Sequence, residues 1–196
     1  MPDSPAAIEI ETFIERQFEC SVDYAELPPG ILGFTRFAPT GKVLQMGAAR
    51  GLFDGDQVGE RRARTTLAHE AGHGLLHAKL FIDPPRSDLF PEGTFDERRR
   101  QIMCREQDIL GRRAYDGRWW EVQANQAIGG LLLPKALVQR ALEPFMSPGR
   151  LGQGLIPNER REEAIRGLVS TFDVNPAVAR IRLGSLFPPQ GSQMEL

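Results

Sequence analysis

The stretch that most constrains this chain of 196 residues is His69-Glu70-Ala71-Gly72-His73. Residues four apart lie on one face of an α-helix, so both imidazoles can reach a single metal ion, with the glutamate beside it. This is the HExxH arrangement of a zinc peptidase, which needs a third ligand from elsewhere in the chain. The simpler alternative is a surface helix with two solvated histidines.

The residues around the motif predict a helix over about residues 61–79. At 100° per residue, an apolar arc lies on one side and the histidines lie roughly opposite, so the helix does not need them for its own core. Gly72 and Gly74 each cost about 1 kcal/mol relative to alanine inside a helix, which predicts that a second helix crosses the metal-binding face at close range. The arc consists of Ala63, Leu67, Ala68, Ala71, Leu75 and Ala78.

The third ligand must be a carboxylate or Cys104, because the chain has only three histidines. His77 lies eight residues beyond His69, about 12 Å along a helix, which is too far for both to bind one ion when each Zn–N bond is about 2.0–2.1 Å. A packed or idle thiol is the alternative role for Cys104.

Glu121 is the best candidate for the third ligand, because it lies in a second predicted helix, about residues 117–133. Asn125, one turn later, can accept a hydrogen bond from a ligating histidine. The alternative for Glu121 is stabilisation at a helix N-terminus by the macrodipole. Lower-ranked candidates in the irregular segment before it are Glu97, Glu106 and Asp108.

Two histidines, one glutamate and an open fourth position describe a catalytic zinc site rather than a structural one. Zinc lowers the pKa of a bound water to about 7 and polarises a carbonyl group. Glu70 can take the proton of that water and pass it to the leaving amine. Hydrolysis of peptide bonds is therefore the leading reaction class, with Zn²⁺ as the expected cofactor.

The composition of the chain indicates which partners and which cellular compartment to expect. The net charge of −2 and the isoelectric point of about 6.0 give no overall attraction to nucleic acid or anionic membranes. No apolar run approaches the roughly 18 residues of a membrane span, and the first residues lack the features of a signal peptide. Two isolated cysteines suit a reducing compartment. We therefore expect a cytoplasmic protein with no membrane partner.

The chain order predicts an α+β fold. Three short segments separated by proline and glycine indicate a small antiparallel meander, packed on the motif helix and on the glutamate-bearing helix. The last of them, residues 42–46, is expected either to be an edge on which an extended substrate adds as a further strand or to be an ordinary covered edge. Residues 81–116 form a long excursion with a short helix over residues 101–110, and the arginines at its centre form either a solvated face or a nucleic-acid patch.

Three parts are expected along the chain. A metallopeptidase domain occupies residues 1–145, a glycine- and proline-rich linker occupies residues 146–157, and a helical tail follows over residues 158–196. The tail has two short helices joined by a turn, like a helix-turn-helix, and it is locally basic. It is either a packing arm or a surface for weak DNA contact.

Together these segments resemble the ImmA/IrrE zinc metallo-endopeptidases. The likeness rests on the motif block at residues 64–77, on the E-x-x-A-N block that begins at Glu121, and on the closing residues 131–134. The resemblance implies a zincin-like, gluzincin-like core in which His69, His73 and Glu121 bind zinc and Glu70 is the catalytic residue. Two features depart from the family pattern: the stretch between the blocks is long, and Ala127 stands where phenylalanine is common.

What the resemblance implies about function is regulated cleavage of a transcriptional repressor of the helix-turn-helix class, in bacteria or phages, with the repressor often co-encoded. Two other hypotheses stay open. One is a regulatory metalloprotein that binds DNA or sequesters a partner without hydrolysis. The other is an aminopeptidase or another small-peptide hydrolase.

Overall fold

The structure, a computed structural model, describes residues 4–53, 55–82, 101–109, 117–148 and 154–189. The fold is of the α+β class, as predicted. Residues 9–127 form one compact unit, and residues 1–8 together with 128–196 form another. This division falls inside a helix rather than in residues 146–157, and the assignment of a peptidase domain, linker and tail stays a prediction.

The unit of residues 9–127 contains a four-stranded sheet and the helices that carry the motif residues. Two 3₁₀ turns, Arg50–Phe53 and Ala78–Phe81, flank the motif helix. The elements are α1 (Ile10–Phe18), β1 (Val22–Ala25), β2 (Ile31–Phe37), β3 (Val43–Ala49), α2 (Gln57–Leu76), β4 (Gln101–Arg105), α3 (Glu106–Ile109) and the first part of α4 (Trp119–Leu132).

The sheet is mixed and has the strand order β1-β3-β2-β4. β2 and β3 are antiparallel as expected, but β1 pairs with β3 in parallel, so the predicted meander is wrong for the first strand. β3 therefore lies inside the sheet, and the expectation that residues 42–46 form its edge is also wrong. The pairing of β1 with β3 is close: a Cβ on Gly47 would lie 2.2 Å from the carbonyl oxygen of its partner Asp23.

β4 forms one edge of the sheet, antiparallel to β2, with Phe34 opposite Met103. The predicted helix over residues 101–110 is therefore wrong for its first half, whereas Glu106–Ile109 is helical and residue 110 lies outside the described residues. Pairing with β2 determines the local structure of this segment. Within it Cys104 is buried while its neighbours Met103 and Arg105 are exposed.

The motif helix α2 begins after Asp56, whose side chain accepts a hydrogen bond from the backbone N–H of Gly59 at 2.7 Å. The expected one-sided burial is wrong, because Ala63 and every residue from 65 to 74 are buried. Leu75, predicted to lie in the core, is 42% exposed, whereas the histidines are fully buried. α2 packs on β2, β3 and α1, and Gly72 on a different side of it faces Ala124 and Ala127 of α4, so more than one side of the helix is covered.

The two motif glycines have different neighbours. A Cβ on Gly72 would lie 2.9 Å from the Cβ of Ala127 and 3.1 Å from the Cα of Ala124, which confirms the predicted helix crossing. A Cβ on Gly74 would instead lie 2.8 Å from the ring of Phe18 on α1. The crossing at Gly72 also explains the small residue at position 127, since a larger side chain there would meet the backbone of α2.

The second unit continues α4 and is mainly helical, with one short pair of antiparallel strands. The predicted tail helices are confirmed: Asp173 joins them in a left-handed conformation with φ 48°, and Asn175 caps the second by accepting from the N–H of Ala177 at 2.9 Å. No helix in the described ranges is long and apolar enough to cross a membrane. The elements are α5 (Lys135–Leu142), a 3₁₀ turn (Glu143–Phe145), β5 (Ser147–Pro148), β6 (Gly154–Leu155), a 3₁₀ turn (Asn158–Arg160), α6 (Arg161–Phe172) and α7 (Pro176–Leu186).

Candidate metal centre

Three of the predicted site residues come together at one point. The Nε2 atoms of His69 and His73 are 3.0 Å apart. Oε2 of Glu121 lies 3.1 Å from Nε2 of His69 and 3.4 Å from Nε2 of His73. All three side chains are buried, and the group could hold a metal ion.

The spacing of these three atoms suits a small tetrahedral ion. Bonds of about 2.0–2.1 Å at tetrahedral angles place neighbouring ligand atoms about 3.3–3.4 Å apart. The observed separations of 3.0–3.4 Å are close to that value. Three protein ligands leave a fourth position for water or substrate, which is the pattern of a catalytic rather than a structural site. The donor set of two imidazoles and one carboxylate is also one that zinc accepts.

Two helices produce this geometry. His69 and His73 are four residues apart on α2 and therefore lie on one face. Glu121 lies in the first turn of α4, and the close contact at Gly72 holds α4 against that face. Glu121 therefore has the helix N-terminal position of the alternative role and also lies beside both histidines. Its role as the third metal ligand stays a prediction.

The second nitrogen of His69 also has a partner. Nδ1 of His69 lies 3.0 Å from Oδ1 of Asn125, as expected for this residue. The amide nitrogen of Asn125 donates to the backbone carbonyl of Asp108 at 2.7 Å, which fixes the amide so that its oxygen faces His69. Arg118 donates to the Asp108 carboxylate at 2.6 Å. His69 can therefore carry its proton on Nδ1 and present a bare Nε2 to a metal.

Charge around Glu121 favours its ionised form. Burial acts to raise the pKa of Glu121, but hydrogen bonds and attraction from His69 and His73 outweigh it and hold the pKa well below its usual range. Nη1 of Arg118 lies 3.8 Å from the other carboxylate oxygen. A carboxylate that stays charged is the form that ligates a cation.

The carboxylate of Glu70 contacts strand β2 of the sheet and is not one of the three clustered ligand atoms. The hydroxyl of Thr35 donates to Oε2 of Glu70 at 2.6 Å. The other oxygen, Oε1, is buried with no partner in hydrogen-bond geometry among the described residues, although the backbone N–H of Cys104 also favours the charged form. Burial raises the pKa of Glu70 to about 7. One carboxylate oxygen is thus fixed and the other is left to accept a proton.

The remaining third-ligand candidates lie elsewhere. Glu106 pairs with Arg62 at the surface at 2.9 Å, and Asp108 is held by Arg118. Burial, with a further contribution from Glu70, raises the pKa of Cys104 and disfavours the thiolate that a metal requires. Glu97 lies outside the described residues.

Sequence reasoning missed several residues around the centre. No local pattern marks Thr35, because its link to Glu70 spans 35 residues. Arg118 lies three residues before Glu121, and that i,i+3 spacing could have indicated the contact. His77 was excluded as a ligand of the same ion, but its contact with the second nitrogen of His73 was not foreseen.

A cleft of about 680 Å³ lies beside the centre, and Glu121 is part of its wall. The sheet edge β4 forms another part of the wall. Met103 on that strand is 37% exposed and Leu80, in the 3₁₀ turn after α2, is 55% exposed, so the wall offers apolar surface. The lining residues are Ile31, Leu80, Phe81, Gln101, Ile102, Met103, Arg105, Arg118, Trp120 and Glu121.

No protein-family model and no curated protein matches the sequence, so comparison with known proteins assigns no role to these residues. The resemblance to the ImmA/IrrE enzymes therefore stays a prediction. The geometry of the three ligand atoms carries the functional argument.

Replacing Glu121 by glutamine tests the ligand group. Glutamine keeps the size of the side chain but removes its charge, so we expect zinc affinity to fall by more than about 100-fold, beyond the loss caused by changing an outer partner of a ligand. Competition with a chromophoric chelator measures this. Glu106→Gln, at a surface glutamate, is the matched control and should bind zinc as the unaltered chain does. Equal affinities in the two variants would contradict the assignment.

Proposed function

We propose that this chain is a zinc-dependent endopeptidase with a zincin-like core, similar to the ImmA/IrrE enzymes. The observation that carries the proposal is the set of three buried ligand atoms at 3.0–3.4 Å separations, on the helix that also carries Glu70. A three-ligand site with an open position suits hydrolysis. The proposed substrate is a transcriptional repressor of the helix-turn-helix class, co-encoded with this chain.

The proposed chemistry divides between the ion and the chain. Zinc, when bound, supplies a water of lowered pKa and polarises the scissile carbonyl. Glu70 accepts a proton from the attacking water at Oε1 and returns it to the leaving nitrogen. Thr35 keeps Oε2 occupied, so that the proton goes to a defined oxygen. A pKa of about 7 suits a group that must both take and release a proton near neutral pH.

The cleft gives the proposed substrate a place to bind. Among the described residues β4 pairs only with β2, so its outer edge has backbone groups directed away from the sheet. An extended peptide can add to such an edge through backbone hydrogen bonds, with its side chains in the apolar part of the cleft. Because Glu121 is part of the cleft wall, a peptide bound in the cleft would have its scissile bond next to the proposed ligands. The candidate edge is thus β4 rather than residues 42–46.

The alternative of a DNA-binding or sequestering protein receives less support. Three of the tail arginines that could form a DNA surface bond to groups of their own unit. Arg180 pairs with Glu162 at 3.1 Å, Arg161 donates to the carbonyl of Phe187 at 2.7 Å, and Arg182 donates to the carbonyl of Leu133 at 2.9 Å. Among the described residues of this unit, no contact specifically favours nucleic acid.

Glu70→Gln separates catalysis from metal binding. Because glutamine cannot accept the proton, we expect cleavage of an adjacently encoded repressor to slow by about 10²–10⁴-fold, while zinc content stays near one ion per chain. Gel analysis of cleavage and elemental analysis of the purified variant measure the two quantities. Glu60→Gln, near the start of α2, serves as the control. Cleavage at the normal rate by the Glu70 variant would rule out the proposed mechanism.

Met103→Glu tests the cleft. A charge on the β4 wall removes apolar contact worth about 1–2 kcal/mol, so KM for the repressor should rise about 5- to 30-fold while zinc affinity stays unchanged. Leu44→Glu makes the same change at an exposed residue of β3 that does not line the cleft, and it should leave KM unaltered. Equal KM values for both variants would exclude β4 as the substrate strand.

A further inference from the structure

His77 is a fully buried histidine outside the proposed ligand group. It lies at the C-terminal cap of α2, where its backbone N–H still donates to the carbonyl of His73 at 2.9 Å. Its ring packs against Trp119 in a T-shaped arrangement, with the ring centroids 5.5 Å apart. A buried imidazole is costly unless its nitrogens are hydrogen-bonded, so the partners of His77 indicate what it does.

Both ring nitrogens of His77 have partners. Nδ1 lies 2.9 Å from Nδ1 of His73, and Nε2 lies 3.1 Å from Oε1 of Gln123 on α4. The three side chains form a line from the proposed metal position to the amide of Gln123. His77 thus links the motif helix to the helix that carries Glu121.

The amide of Gln123, at the outer end of this line, determines which ring nitrogens donate a hydrogen bond and which accept one. An amide oxygen only accepts, so Nε2 of His77 carries the hydrogen. In a neutral ring, Nδ1 of His77 is then bare and accepts from Nδ1–H of His73. Nε2 of His73 is left without a hydrogen, and it is the atom that lies beside Nε2 of His69 and Oε2 of Glu121. The order of donors therefore prepares His73 to bind a cation.

We propose that His77 and Gln123 are positioning residues that hold His73 in its metal-binding tautomer and orientation. The proposal rests on the metal-binding half of the proposed function and is independent of hydrolysis. His69 reaches the same state through the amide of Asn125, whereas His73 does so through a second imidazole. Partners that orient ligating histidines typically contribute 10- to 100-fold to metal affinity.

Zinc titration against a competing chelator tests this with four variants. His77→Phe keeps a ring but removes the acceptor, so zinc affinity should fall 10- to 100-fold. His77→Gln restores an acceptor oxygen and should recover part of the loss. Gln123→Met should weaken binding in the same direction, and Gln126→Met, at an exposed glutamine of the same helix, should leave it unchanged. His77→Phe binding zinc as tightly as the unaltered chain would overturn the proposal.

If His77→Phe fails to fold, a measurement on the unaltered chain tests the proposal instead. Nitrogen-15 NMR of the zinc-loaded protein distinguishes a bare imidazole nitrogen from a protonated one. We expect His77 to be neutral with hydrogen on Nε2 and none on Nδ1. Hydrogen on Nδ1 of His77 would overturn the proposal. A chain with this tautomer and the expected affinity losses but no peptidase activity would refute the proposed function and leave this inference standing.

Discussion

The close contact between α2 and α4 at Gly72 is the constraint on which the candidate centre depends. The residues of this centre are not all close together in the sequence, because its carboxylate belongs to Glu121, 52 residues after His69. Only a residue without a side chain allows Ala124 and Ala127 to approach α2 this closely. That approach carries Glu121 to the histidines, and it brings Asn125 and Gln123 within reach of their imidazole partners.

Burial makes the polar network around these helices necessary. A carboxylate and three imidazoles without water would be strongly destabilising unless each polar atom had a partner. Here the outer nitrogens are satisfied by Asn125 and by His77, whereas the inner atoms are three acceptors that face one another when Nε2 of both histidines is bare. A divalent cation at the common point would give all three of these atoms a partner. The burial of the group thus favours metal binding.

Sequence reasoning was reliable where a short pattern determined the structure. Four-residue spacing on one helix gave the histidine pair, the shortage of histidines directed attention to Glu121, and the costly Gly72 indicated a crossing helix. It failed where tertiary pairing decided the outcome. Residues 101–105 became a strand because β2 offers a partner, and β1 joined β3 in parallel, neither of which local propensity can reveal. The role of His77 depends on an imidazole pair at the end of a helix, where regular helical geometry no longer gives the direction of the ring.

X-ray absorption spectroscopy at the zinc edge of the zinc-loaded chain shows which atoms bind the ion. We predict four-coordinate zinc with nitrogen and oxygen neighbours at about 2.0–2.1 Å, of which two are imidazoles, and no sulfur. A sulfur neighbour at about 2.3 Å would contradict it, because a cysteine would then be a ligand. A shell containing one imidazole or none would also contradict it, because His69 and His73 would not share the ion.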